Sequence, residues 1–200
     1  MSAPIPAGPM PTGPDPTGPI RMIGSDLDGT LLTRDGSVSP GNLAALARAQ
    51  EAGLQIVFAT GRPPRWMAEV ARQTGHRGLA VCANGAILYD LGTERVISAN
   101  LLSVEVQAEI AHALSREFGD IHLAVESTQR FLHEAGYLHD WDVGRVQIAI
   151  AERAAVLAMP GVKMLVRHHE RGGDDFLRRA QELIGEAAVV TASSGDGLLE

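Results

Sequence analysis

The sequence predicts an α/β fold: a parallel, helix-covered sheet in the first half, followed by an α+β unit. Three observations predict it. Short apolar runs end in polar, glycine-containing segments at Asp26, Thr60 and Asn84. Amphipathic stretches separate those runs, the alternation that a parallel sheet with crossover helices requires. Beyond Asn84 the strand-like runs come in pairs with helices between them, which is an α+β rhythm.

Each element has a local reason. The first twenty residues hold seven of the eleven prolines. Proline removes backbone donors, and the stretch has too little apolar surface to offset its ordering entropy, so residues 1–20 are expected to be a disordered tail. Met22–Ser25 reads as a short strand ending at Asp26. Ser39 can accept from the free amides of a following helix and Pro40 suits its first position. Leu43, Leu46 and Ala47 then form the expected buried stripe, and Gly53 the stop. Leu54–Ala59 is a second strand, residues 65–74 a second helix ending near Gly75, and Leu79–Ala83 a third strand. Two runs, 86–89 and 95–98, flank Asp90-Leu91-Gly92-Thr93 as a hairpin. A helix over Val104–Phe118, strands at 121–125, 130–133, 162–166 and 188–191, and helices around 151–159 and 174–184 follow. The expected division is a core over 21–98 and a second unit over 99–200.

Composition excludes several function classes. The chain has 200 residues, a formal charge of −7 and eight aromatic side chains. An acidic, aromatic-poor chain lacks the counter-charge and the stacking faces of a nucleic-acid binder. No run of apolar residues is long enough to span a bilayer, so no membrane partner is expected. A lone cysteine, Cys82, leaves no internal disulfide and fits a reducing compartment, so a cytoplasmic location is expected. The basic residues are sixteen arginines and a single lysine, Lys163. The seven histidines show no zinc-site spacing, and His168-His169 reads as a solvated strand end. Nothing in the sequence fixes an oligomeric state.

The chemistry should lie beyond the carboxyl ends of the parallel strands, where open α/β sheets place their reactive groups. Those ends read Asp26-Leu27-Asp28-Gly29-Thr30, Thr60-Gly61-Arg62 and Asn84-Gly85. Asp26 and Asp28, two apart at an extended strand end, can aim both carboxylates to one side. Such a pair can divide its labour, one ionised as nucleophile and one carrying a proton. Thr60 offers a hydroxyl, Arg62 a guanidinium, and the backbone around Gly29-Thr30 and Gly61-Arg62 amides for a phosphate. Taken singly, Thr60-Gly61-Arg62 could be a helix-entry turn and Asn84-Gly85 reads better as a hairpin turn. The first motif is sharper: at this composition Asp-x-Asp-Gly-Thr is expected by chance about 0.003 times in the chain.

Asp26-Leu27-Asp28-Gly29-Thr30-Leu31-Leu32, Phe58-Ala59-Thr60-Gly61-Arg62 and Ala83-Asn84-Gly85-Ala86 resemble the haloacid dehalogenase (HAD) superfamily, in its Cof-type sugar-phosphatase branch with a class IIB cap domain. The resemblance covers roughly residues 21–200. It implies a Rossmann-like core with an inserted α+β cap, and hydrolysis of a small phosphorylated metabolite, a sugar phosphate in the first instance. It implies that Asp26 is the nucleophile that forms an aspartyl phosphate. Asp28 would be the general acid and base, and Thr60 would bond the transferring group. Gly29, Thr30, Gly61, Arg62 and Asn84 would line the substrate site. Mg²⁺ is implied on the Asp26 carboxylate and the Asp28 backbone carbonyl, a hard-oxygen donor set that suits it. A non-catalytic remnant that binds phosphometabolites or a partner, and a phosphomutase, are the alternatives.

The family also carries a later lysine and an acidic Gly-Asp motif, expected to follow where this chain ends. Lys163 sits in a strand-like run, and Gly195-Asp196-Gly197 lacks a second carboxylate, so neither is expected to substitute. The chain is therefore expected to be incomplete, with impaired phosphoryl transfer and an unprotected apolar edge at Met22–Ser25.

Overall fold

The computed structural model describes residues 18–137, 148–194 and 197–200. Most of the expected tail and the Gly195-Asp196 pair fall outside these residues. Among the described residues, eleven strands form two sheets, accompanied by five α-helices.

The first sheet has the order β1 (Met22–Asp26), β2 (Gln55–Ala59), β3 (Leu79–Cys82), β4 (Ile87–Asp90) and β5 (Arg95–Ala99). The first three strands are parallel, β4 runs antiparallel to β3, and β5 runs antiparallel to β4 as the 90–93 turn predicts. The expected division at 98/99 falls one residue short of the end of β5, where Ala99 still pairs with Ile87. β1 is an edge strand, and Met22 and Ile23 are exposed on it. Helix α1 (Pro40–Glu51) starts as its sequence dictates: Ser39 Oγ accepts from the Asn42 amide at 3.1 Å, with Pro40 in the first turn. Its buried stripe differs from expectation. Leu43, Leu46 and Ala49 are half-buried against the core, whereas Ala47 is exposed. The helix lies on the surface of β2 and seals no side chain completely. Helix α2 (Met67–Thr74) follows a one-turn 3-10 segment at Pro64–Trp66 and stops at Gly75, whose φ of +68° suits glycine. Met67, Val70 and Ala71 pack it onto the core built by Phe58, Ala80 and Ile87.

The second sheet, ordered β10-β11-β9-β6-β7-β8, uses β6 (His122–Glu126), β7 (Phe131–His133), β8 (Ile148–Ile150), β9 (Lys163–Arg167), β10 (Ala192–Ser194) and β11 (Leu198–Leu199). Helices α3 (Val104–Phe118), α4 (Arg153–Leu157) and α5 (Gly173–Ile184) accompany it. Ile110, Ala111, Leu114 and Phe118 form the buried stripe of α3, facing Phe176 and Ala180 of α5 and Leu123, Val125, Met164 and Val166 of the sheet.

Two expectations fail here. Residues 188–190 form no strand; pairing begins at the last residue of the expected run, Thr191, which exchanges two backbone hydrogen bonds with Glu200, and continues into β10, where Ala192 meets Leu199. Gln181 caps the preceding segment by donating to the Val190 carbonyl at 3.0 Å, which holds it as an irregular connection. His168 is buried, unlike exposed His169. Its Nδ1 accepts from the amides of Glu170 and Arg171 at 3.1 and 3.0 Å, so the proton sits on Nε2, which donates to the Phe118 carbonyl at 3.3 Å. The imidazole ties the end of α3 to the loop before α5, a role that two neighbouring histidines do not announce.

The chain passes from the first sheet to the second between β5 and α3, and that connection lies beside the turn that leads into β9. The Leu102 amide donates to the Gly161 carbonyl at 2.7 Å, and fully buried Gln107 donates to the carbonyls of Met159 and Leu102. No described helix is long and apolar enough to cross a membrane. Gly161 has no room for a side chain: a Cβ there would lie 2.5 Å from Val125 Cγ1 and 3.1 Å from Gln107 Oε1. Gly161→Ala is therefore expected to lower the urea unfolding free energy by about 1–3 kcal/mol, the usual cost of overpacking. A change below about 0.5 kcal/mol would show that the packing around Gly161 is slack.

Candidate active site

The site begins with register. Asp26 of β1 pairs with Ala59 of β2, which pairs with Val81 of β3. The three parallel strands thus end at one level, and the residues after them emerge together. After β1, Leu27 is fully buried while Asp26 and Asp28 are exposed, so the two carboxylates share the solvent side. Leu31 and Leu32 also enter the core. The chain curls round one carbonyl, since the amides of Thr30 and Leu32 both donate to Leu27 O at 3.2 and 2.8 Å. Gly29 permits the curl with φ +74°. Thr30 Oγ1 donates to Asp26 Oδ2 at 3.4 Å.

The second and third strand ends are braided together. The Thr60 amide donates to Val81 O, the Asn84 amide to Thr60 O, and the Ala83 amide to Arg62 O, at 2.9, 3.2 and 3.0 Å. To close this braid, Ala83 and Asn84 adopt φ of +51° and +55°. Asparagine tolerates that region; alanine does so at a cost. The braid is also the connection of the β3–β4 hairpin, as the turn reading of Asn84-Gly85 expects. Gly61 is required by proximity, because a Cβ on it would sit 2.6 Å from Asn84 Oδ1.

One expectation about phosphate donors is corrected. The amide of Thr30 is committed to Leu27 O, and that of Arg62 to Thr60 Oγ1 at 3.1 Å. Tight local turns consume donors that a sequence shows as available. The Thr60 hydroxyl accepts that bond and so keeps its own proton to give.

Asp28 and Arg62 form a bidentate ion pair, with Nε to Oδ2 at 2.8 Å and Nη2 to Oδ1 at 2.6 Å. Both carboxylate oxygens are engaged. Asp28, Gly61, Arg62 and Asn84 line a cavity of about 450 Å³ together with Trp66 and Phe131. Asp26, Gly29, Thr30 and Thr60 lie beside this cavity and do not form its wall.

The opposite wall comes from the second sheet and was not legible as part of a site. Lys163 Nζ donates to the Gly61 carbonyl at 3.2 Å and pairs with Glu200 Oε1 at 3.2 Å. Glu200 Oε2 accepts from Asn84 Nδ2 at 2.8 Å. Arg65 forms an ion pair with buried Glu126, and its guanidinium lies 5.6 Å from the Trp66 ring centre and 5.5 Å from that of Phe131. The only sequence signal was the uniqueness of Lys163; the contacts span about a hundred residues, beyond any local pattern. A second cavity of about 420 Å³ lies behind Asn84, Lys163 and Glu200, walled by apolar side chains such as Leu102, Leu114 and Met164, and holds neither aspartate.

The chain belongs to the haloacid dehalogenase-like hydrolases, whose family model matches residues 23–154. It is similar to a pyridoxal phosphate phosphatase, YbhA, of Escherichia coli strain K12. The identity is 32% over 123 residues, covering 59% of this chain and 43% of the relative. It is also similar to an HMP-PP phosphatase of Serratia proteamaculans strain 568, 28% identical over 62% of this chain and 42% of the relative. The chain thus spans less than half the length of these two relatives. Among solved structures, SMU.1108c from Streptococcus mutans UA159 superposes with a TM-score of 0.70 at 15% identity, covering 90% of this chain and 69% of that one. The HAD subclass IIB sugar phosphatase BT4131 gives 0.68 at 16% identity, covering 90% and 68%. These two superpositions support the fold.

Cys82, at the end of β3 beside this loop, is fully buried, and burial pushes its thiol up to about 12. A raised value keeps it a neutral thiol at pH 8. Alkylation of the folded chain by iodoacetamide at pH 8 is expected to be about a thousandfold slower than in denaturant. Comparable rates in the two states would contradict the burial.

Proposed function

We propose that this chain carries the nucleophile and phosphate site of a Mg²⁺-dependent phosphomonoester hydrolase acting on a small phosphorylated metabolite in the cytoplasm. The observation that carries the proposal is the shared level of three parallel strand ends, which gathers Asp26, Asp28, Thr60, Arg62 and Asn84. The phosphatases among its relatives support the same reading. In it, the second sheet is the inserted cap domain, over 99–200, and the core is 21–98.

In the reaction, a carboxylate oxygen of Asp26 attacks phosphorus and the bond from phosphorus to the ester oxygen breaks. Asp28 gives its proton to the departing alkoxide, which leaves as the alcohol. The Asp28 carboxylate then takes a proton from water as the water oxygen attacks the aspartyl phosphate. Inorganic phosphate leaves and Asp26 is restored. The Thr60 hydroxyl and the Gly61 backbone face the phosphoryl oxygens. Arg62 has a second duty. It holds both oxygens of Asp28 in the ligand-free molecule, so a phosphate that attracts the guanidinium frees Asp28 for its acid step.

The residues fit Mg²⁺. The Asp26 carboxylate and the Asp28 carbonyl are hard oxygen donors at an exposed strand end. The described residues contain no cluster of three or more His, Cys, Asp or Glu that could enclose an ion. Mg²⁺ suits such an open site, because it keeps several waters and binds through one or two carboxylates plus substrate phosphate. When bound, it would offset charge between Asp26 and the phosphoryl oxygens.

The test is Mg²⁺-dependent phosphate release by variants. Asp26→Asn should lower kcat by at least about 10³-fold. In the first step, followed as the single-turnover burst of released alcohol, Asp28→Asn should slow an alkyl phosphate about 10²–10⁴-fold and p-nitrophenyl phosphate far less, because nitrophenolate leaves without a proton. Arg62→Ala should raise KM by about 10- to 100-fold, the weight of a charged hydrogen-bond pair. Equal losses on both esters for the Asp28 variant would remove it from the acid role.

A further inference from the structure

Lys163 stands apart in this chain. It is the single lysine among sixteen arginines, and β9 of the second sheet carries it to the loop of the first. Its side chain is 11% exposed and that of its partner Glu200 is 13% exposed. A mostly buried ammonium is expensive unless it is paired and hydrogen-bonded. Lys163 is both: Nζ meets Glu200 Oε1 at 3.2 Å and donates to the Gly61 carbonyl at 3.2 Å. The second bond is spent on the backbone of the loop that holds Thr60 and Arg62, and the reaction steps at Asp26 and Asp28 make no use of it.

That carbonyl matters through the peptide unit to which it belongs. Gly61 C=O and Arg62 N–H are the two ends of one planar, trans unit, so they point to opposite sides. Lys163 holds the carbonyl end. Thr60 Oγ1 holds the other end, accepting from the Arg62 amide at 3.1 Å. The plane is thus clamped from both sides. Gly61 has no side chain whose packing could do this instead, and no room for one beside Asn84 Oδ1. The amide fills one acceptor position of the Thr60 hydroxyl, which limits where the hydroxyl proton can turn. A cation on the carbonyl also strengthens the N–H at the far end of the unit, because hydrogen bonds in series polarise one another. Glu200 Oε2 accepts from Asn84 Nδ2 at 2.8 Å, which anchors the ion pair to the same loop.

We propose that Lys163 is a positioning residue for phosphoryl transfer: it fixes the Gly61–Arg62 peptide plane, and the plane aims the Thr60 hydroxyl at the transferring group. The contacts run in series from Lys163 Nζ to the Gly61 carbonyl, from the Arg62 amide to Thr60 Oγ1, and from the Thr60 hydroxyl to a phosphoryl oxygen. The second sheet thereby acts on the chemical step through the backbone of the first. This rests on the phosphatase reading and adds a positioning residue to it.

The test is a double-mutant cycle with Thr60, read in kcat for p-nitrophenyl phosphate with Mg²⁺. Both steps transfer the same phosphoryl group, so kcat reports the hydroxyl whichever step is slower. Lys163→Met alone leaves the Glu200 carboxylate buried without its cation, which can unfold the chain. The variant is therefore Lys163→Met with Glu200→Gln, which keeps an amide oxygen for Asn84 Nδ2. It is accepted once its melting temperature lies within a few degrees of wild type; otherwise Lys163→Gln with Glu200→Gln, a shorter neutral pair, takes its place. The pair variant should lower kcat about tenfold, the weight of a hydrogen bond to a charged group, and move KM less than about threefold. Thr60→Val should lower kcat about 10²–10³-fold, and in that background the pair variant should cost less than about twofold more. The Arg62 amide, followed by NMR, should exchange with solvent at least about fivefold faster in the pair variant than in wild type. Losses that multiply independently would overturn the proposal, as would an unchanged kcat or an effect confined to KM. If wild type releases no phosphate from the ester, the phosphatase reading fails separately, and the Arg62 amide decides the role of Lys163: faster exchange in the pair variant upholds the clamp, and unchanged exchange overturns it.

Discussion

The site depends on the braid of backbone hydrogen bonds that locks Thr60, Arg62, Ala83 and Asn84 together at the ends of β2 and β3. Parallel pairing brings the strands to one level, but a shared level alone leaves three independent loops. The braid makes two of them one object. Its amides and carbonyls are satisfied by each other, so the loop holds its shape at a strand end where water would otherwise compete. The left-handed backbone at Ala83 and Asn84 is the local cost, offset by three hydrogen bonds and by the core packing of Ala83. Arg62 leaves this fixed frame and reaches Asp28, which ties the first strand end to the other two.

The second sheet is attached to this frame through charge. Arg65 with Glu126 is an ion pair between the two units, and Lys163 and Glu200, paired within the second, reach the first by hydrogen bonds to the Gly61 carbonyl and from Asn84 Nδ2. Ion pairs removed from water add little net stability, because desolvation consumes most of the Coulomb gain. They do add direction, since a buried charge without its partner is severely penalised. These contacts therefore select one placement of the second sheet over the loop, and the hydrogen bond from Leu102, on the connection between the sheets, to Gly161 restricts the alternatives.

Much of the first half was legible because its signals are local. Ser39 and Pro40 begin a helix within three residues, Gly75 ends another, and Asp26-Leu27-Asp28 alternates out, in, out at a strand end. The errors share a cause. Ala47 was placed on a buried stripe, but a helix covering one surface strand buries a narrower face than periodicity suggests. The amides of Thr30 and Arg62 looked available until their turns used them. His168 was assigned to solvent because its partners, Phe118 at one end and its own following loop at the other, are set by tertiary packing. Lys163 was weighed only as a substitute for a later lysine and set aside, and Glu200 was not singled out, for the same reason: no local pattern encodes a contact between β9 and a loop a hundred residues earlier.

The most direct measurement identifies which carboxylate receives phosphorus. The chain, with Mg²⁺ and a phosphomonoester, is quenched with borohydride, which reduces an acyl phosphate to the alcohol, and the peptide spanning residues 22–34 is sequenced by mass spectrometry. Homoserine in place of Asp26, with Asp28 intact, is the result predicted by the strand register. Reduction at Asp28, or at a carboxylate elsewhere in the chain, would contradict it.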